Sequence, residues 1–145
     1  MVEVDESNLP LVLCTFDGPL TDAELDDFLR TIERIADSGQ RIAYVMDATR
    51  GDWLSATQRR GLQAFMARRR GRTASYCVGM AFVMSRSITR VMLQAVLAVA
   101  PITVPHIVRA RLDEAAGWAI ERLIDAGLAP PGGPILPRWP LQRAG

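Results

Sequence analysis

The chain of 145 residues contains no lysine; all seventeen basic residues are arginine. That absence removes whole reaction classes. A P-loop needs a lysine on its phosphates, and a Schiff-base enzyme needs one as its nucleophile. Histidine is nearly as scarce, with His106 alone. No serine or cysteine stands in a nucleophile signature with it, and no G-x-S-x-G occurs. His106, beside Pro105 at the start of a short strand, reads as structural. Cysteine is limited to Cys14 and Cys77, far apart and each inside an apolar run. They read as buried core thiols, and with no CxxC or Cys/His cluster there is no basis for a structural zinc site. No long hydrophobic run exists either. The longest, Val91 to Val104, is interrupted by Gln94 and Pro101 and is too short to span a bilayer. No charged leader precedes an apolar segment, so the expectation is a soluble cytoplasmic protein. Aromatic residues are few. They are hardly interleaved with the arginine run Arg68-Arg69-Arg70-Gly71-Arg72, which argues against a single-strand nucleic-acid platform. That run reads as the solvated, dipole-matched end of a helix, or else as an anion patch.

What remains is close to half apolar, which suits one compact domain with a sizeable core. The near-neutral net charge hides an asymmetry: residues 1–40 sum to −8 and residues 41–111 to +10. Such a split favours steering of a partner or head-to-tail association, unless folding interleaves the two halves.

Hydrophobic periodicity divides the chain into alternating elements. Leu11–Phe16 reads as a buried strand, with Val2–Asp5 as its partner across a turn. Thr21 and Glu24 form a capping box ahead of a helix with Leu25, Phe28, Leu29, Ile32 and Ile35 on its inner face. Ile42–Met46 is the next strand. A loop holding Asp47, Thr49, Arg50, Asp52 and Trp53 leads to a helix from about Ser55 to Arg70, stopped by Gly71, with Leu62, Phe65 and Met66 inside. Cys77–Met84 is a further strand. A third helix from about Ile88 to Ala100 is capped by Ser85 or Ser87. A short strand near Ile107–Arg109 and a last helix from Asp113 complete the domain. The expected fold class is α/β: one domain over residues 1–127, with a mostly parallel sheet of four to five strands and about four helices. A proline-rich tail occupies residues 128–145. In such sheets ligand sites lie at the carboxyl ends of the strands.

The stretches FDGPLTDAELDDF (Phe16 to Phe28), YVMDATR (Tyr44 to Arg50), GMAFVMSRSITR (Gly79 to Arg90) and RLDEAAGW (Arg111 to Trp118) carry a resemblance. In this order they resemble the STAS domain, the sulfate transporter and anti-sigma-factor antagonist fold. They also resemble small bacterial proteins classed as STAS-like or CRAL-TRIO-like. The resemblance implies a non-enzymatic regulatory module that binds a protein partner and needs no cofactor. It further implies a phosphorylation switch on the serine that opens the helix after the Asp-bearing strand, the place of Ser55. The CRAL-TRIO side implies a small binder of lipid or another apolar ligand.

The residues themselves leave both readings open. Ser55 with Gln58 fits an S-x-x-Q capping box, while a phosphate at that helix N-terminus would meet free N–H groups and the nearby Arg59. Asp47 is expected to hydrogen-bond the loop backbone and fix its turn. The candidate interaction surface is therefore Asp47, Thr49, Arg50, Asp52, Trp53, Ser55 and Arg59. The third helix is apolar on nearly every face, apart from Thr89, Arg90 and Gln94. It must be buried on both sides, covered by the tail through Ile135, Leu136 and Trp139, paired in a homodimer, or set against an apolar ligand. Met80, Phe82, Val91, Met92 and Val96 are the candidate pocket or dimer residues.

Overall fold

The computed structural model describes residues 1–52 and 54–131. Trp53 and the tail residues Ile135, Leu136 and Trp139 lie outside the described residues. The elements run β1 (Val2–Asn8), β2 (Leu11–Gly18), α1 (Asp22–Asp37), β3 (Ile42–Gly51), α2 (Ala56–Tyr76), β4 (Cys77–Val83), α3 (Ser87–Val99), β5 (His106–Arg109) and α4 (Leu112–Asp125). The five strands form one sheet in the order β1-β2-β3-β4-β5. β1 pairs antiparallel with β2, and the remaining pairs are parallel.

Strand alternation sends successive side chains to opposite faces. On one face Leu11, Leu13, Ala43, Val45, Ala81 and Val83 pack against α4 through Leu112, Ala115, Ala116, Ala119 and Leu123. On the other face Val12, Cys14, Ile42 and Tyr44 meet Leu25, Phe28 and Ile35 of α1 and Tyr76 of α2. α4 seats closely because its contact residues are mostly alanine. Gly79 in β4 extends that close approach. A Cβ there would lie 2.9 Å from Cγ of Arg122 and 3.2 Å from the ring of Trp118.

Both expected capping boxes form. Thr21 accepts from the Glu24 N–H at 3.1 Å and donates its own N–H to Glu24 at 3.2 Å. Several element ends differ from the sequence reading, and three of the differences have a local cause. Gly71 does not end α2, which runs five residues further and passes directly into β4; a mid-helix glycine costs only about 1 kcal/mol, too little to stop a helix held by its packing. β3 continues past Met46 to Gly51 because β2 continues beside it, Asp17 facing Arg50 and Gly18 facing Gly51. Neither Ser85 nor Ser87 caps α3. Arg86 holds the N-cap position without a side-chain cap and donates instead to the carbonyl of Gly51.

The α4 interface yields a direct test. Gly79→Val should destabilise the protein by about 1–3 kcal/mol, because the added carbons must displace the Trp118 ring from a packed face. Urea denaturation measures it, and an unchanged midpoint would show that Trp118 moves aside freely.

Candidate functional site

The two faces of the sheet differ in how completely they are filled. Between the sheet and α1, α2 and α3 lies a cavity of about 220 Å³. Its floor is Phe16, Tyr44, Met46, Met80, Phe82 and Met84 from β2, β3, β4 and the residue after β4. Its walls come from Leu25, Phe28 and Ile32 of α1, from Leu62, Phe65 and Met66 of α2, and from Thr89, Met92, Leu93, Val96 and Leu97 of α3. The chain has six methionines. Apart from Met1, every one of them (Met46, Met66, Met80, Met84 and Met92) lines this cavity. Unbranched, polarisable thioethers fill irregular space and tolerate occupants of varied shape.

Of the expected pocket residues, Met80, Phe82, Met92 and Val96 line the cavity. Val91 does not. One residue before Met92 on a helix, it points about 100° away and is 55% exposed. α3 thus has an inner face on the cavity and an outer stripe of exposed Ile88, Val91 and Val99.

The candidate interaction loop is rearranged by the length of β3. Asp47 is buried, not displayed. Its Oδ1 accepts from the Thr49 N–H at 3.1 Å and from the Thr49 hydroxyl at 2.6 Å, which fixes the strand's path. Arg50 stands on β3 and pairs with Asp17 at 3.1 Å. Asp52 is exposed and lies on the cavity rim. Arg59 is half-buried in the first turns of α2. Ser55 is exposed at the N-cap of α2, its hydroxyl accepting from the Gln58 N–H at 3.0 Å. Gln58 returns the contact through Oε1 to the Ser55 N–H at 3.0 Å. Its Nε2 donates to the Leu20 carbonyl at 2.8 Å and to Asp22 at 3.0 Å. The cap of α2 is therefore also a clasp onto the start of α1.

The charge split of the sequence is partly consumed within the subunit. Asp37 of α1 takes Arg72 at 2.9 Å and Arg69 at 3.8 Å. Both cysteines are buried, and burial raises their thiols above the ordinary value, that of Cys77 to about 12. A thiol in that state is a poor nucleophile. His106 places Nδ1 3.0 Å from the Val104 carbonyl. Among the described residues no cluster of histidine, cysteine or carboxylate could hold a metal, and no helix is long and apolar enough to cross a membrane.

The sequence reading did not anticipate the Tyr44–Tyr76 pair. The two hydroxyls are hydrogen-bonded at 2.8 Å, with the rings edge-on at 6.2 Å, and both residues line the cavity. Tyr76 follows α2's arginine-rich end and Tyr44 opens a strand, so no spacing rule joins them. Only the fold does.

No family model matches the chain, and no curated protein matches it. Among solved structures it is similar to an uncharacterized protein of the DUF3478 family with a SpoIIAA-like fold, from Shewanella loihica PV-4. Identity is 12% and the TM-score is 0.61, over 82% of this chain and 92% of that one. The fold is SpoIIAA-like. That is the STAS-like fold expected from the sequence, an α/β sheet with four helices.

Burial pushes the Tyr76 hydroxyl up from the ordinary value to about 12 and that of Tyr44 further in the same direction. The unfolded chain ionises first, so this stabilisation is complete below the ordinary tyrosine value of 10.0 and is lost as pH rises toward about 12. Denaturation midpoints should fall across that window. The chain has only these two tyrosines, so absorbance near 295 nm reads the pair alone. Phenolate appearing in the native protein near pH 10 would contradict their burial.

Proposed function

We propose that this protein is a non-enzymatic cytoplasmic module of STAS type that binds a small apolar ligand in its cavity and presents α2 and α3 to a protein partner. One observation carries the reading. The α4 side of the sheet is closely packed by alanine, leucine and valine side chains, whereas the other side holds a methionine-rich apolar cavity of about 220 Å³. An engineered apolar cavity of about 150 Å³ stays dry and takes up benzene. Pockets for drug-sized molecules start at about 300 Å³, so the ligand is smaller than these. The fold similarity and the absence of an assembled nucleophile among the described residues support a binding role over catalysis. The outer stripe of α3 supports the partner surface: Ile88, Val91 and Val99 are 55%, 55% and 67% exposed on the helix whose other side touches the ligand space. A second copy of the chain could cover the same stripe.

Native mass spectrometry of protein purified from its own host should show a non-covalent small-molecule adduct. Leu93→Trp, which fills the space from α3, should abolish that adduct while leaving the folded mass distribution intact. An adduct that survives in Leu93→Trp would place the ligand elsewhere.

A second, regulatory reading rests on Ser55. It is exposed, it caps α2, and its capping partner Gln58 clasps α1 beside the cavity-lining Leu20. A phosphate there would be favoured by the helix N-terminus and would compete with Gln58 for the cap. Ser55→Asp should change partner capture in a pull-down, or ligand release, by several-fold relative to the parent. The switch is refuted if Ser55→Asp and Ser55→Ala both behave like the parent. Ser55→Ala should in any case cost about 1 kcal/mol of stability through loss of the cap.

A further inference from the structure

The cavity wall is apolar along most of its length and polar at one end. Arg70, Thr73 and Tyr76 follow one another at three-residue spacing on the last turns of α2, a spacing that keeps them on neighbouring parts of one helix face. Thr103, in the link to β5, and Tyr44, near the start of β3, line the same cavity. The arginines around Arg70 are engaged elsewhere. Arg69 and Arg72 lie against Asp37, and Arg68 sits over the Phe65 ring at 5.8 Å. Among the described residues Arg70 has no ion pair or hydrogen bond, and it is the single cation on the cavity wall. The single anion there is Asp52, just past the carboxyl end of β3, at the opposite end of the strand from Tyr44. The two charged residues therefore stand at opposite ends of the cavity.

We infer that the ligand is a single-chain amphiphile with an anionic head. The inference rests on the apolar-ligand reading above and gives the ligand a chemical class and an orientation. The guanidinium of Arg70 holds the head, a planar fork suited to carboxylate or phosphate oxygens. Thr73, three residues after Arg70 on α2, and Thr103 line the same cavity. The tail runs over Met80, Phe82 and Met46 toward Phe16 and Met92, away from Arg70. A cationic head is disfavoured at Arg70, and a neutral head leaves that charge unused. Scaled from the roughly 150 Å³ cavity that accepts the six carbons of benzene, the space takes a chain of about nine carbons.

Isothermal titration with nonanoate, nonyl phosphate, nonanol and nonylamine tests this on the full chain. At least one of the two anions should bind ten- to a hundredfold more tightly than nonanol, the range of a charge-assisted hydrogen bond, and the better anion identifies carboxylate or phosphate as the head. Affinity among the acids should rise about fourfold per methylene and level off near nine carbons. Arg70→Gln, at an exposed position, should bring the anion down to the affinity of nonanol and leave nonanol unchanged, whereas Arg70→Lys should keep part of the preference. If nonanol binds as tightly as both anions, or if Arg70→Gln weakens alcohol and acid equally, the head assignment is wrong and the apolar cavity stands. If none of the four probes binds, the cavity reading fails as well.

Discussion

The structure depends on a difference in side-chain size between the two faces of one sheet. Toward α4 the sheet presents Ala43, Ala81 and Gly79 among Leu11, Leu13, Val45 and Val83, and the helix answers with Ala115, Ala116 and Ala119 between Leu112 and Leu123. Small residues on both sides let the backbones approach, and the ring of Trp118 sits over Gly79. Toward α2 and α3 the same strands present Tyr44, Met46, Met80 and Phe82. Large side chains on one face hold the facing helices off, and the space between is not fully filled. Protein interiors are close-packed almost everywhere, so an unfilled region beside a tightly packed one calls for a reason. The ligand proposed above would supply it.

Polar contacts tie the helices over the cavity to one another. Gln58 ties the start of α2 to the start of α1. Asp37, at the end of α1, ties back to Arg69 and Arg72 near the end of α2. The Leu54 N–H donates to the sulfur of Met92 at 3.2 Å, which links the approach to α2 with the middle of α3. Gln63 of α2 reaches the Ala95 carbonyl of α3 at 3.5 Å. These polar tethers frame the apolar cavity. Exposed ion pairs contribute little individually, so the clasp at Gln58, with several hydrogen bonds in a half-buried setting, is the firmer of the two ends.

Much of this fold is legible in the sequence. Strand and helix order follows from hydrophobic period, and the α1 and α2 starts follow from their S/T-x-x-E/Q boxes, because both signals are local. The misread boundaries were set by neighbours. Gly71 stays helical because α2 packs on both sides of it, and β3 extends because β2 extends beside it. The cavity was only half legible. Periodicity names which residues of α3 face inward, and Met92 and Val96 do, but it does not separate Val91 from Met92 without the helix's exact rotation. Nor does it say how far apart two facing layers stand. The Tyr44–Tyr76 pair and the isolation of Arg70 among paired arginines are properties of three-dimensional proximity, and no spacing in the chain encodes them.

Methionine around the cavity has a chemical consequence of its own. A thioether takes up oxygen to become a sulfoxide, polar and chiral where it had been apolar and flexible. Met46, Met66, Met80, Met84 and Met92 all border one cavity, while the α4 face of the core contains none of them. Oxidants that enter the cavity would therefore alter its solvent character and leave the opposite half of the core chemically untouched. The sulfur atoms of this chain sit where their oxidation would change the cavity that the proposed ligand occupies.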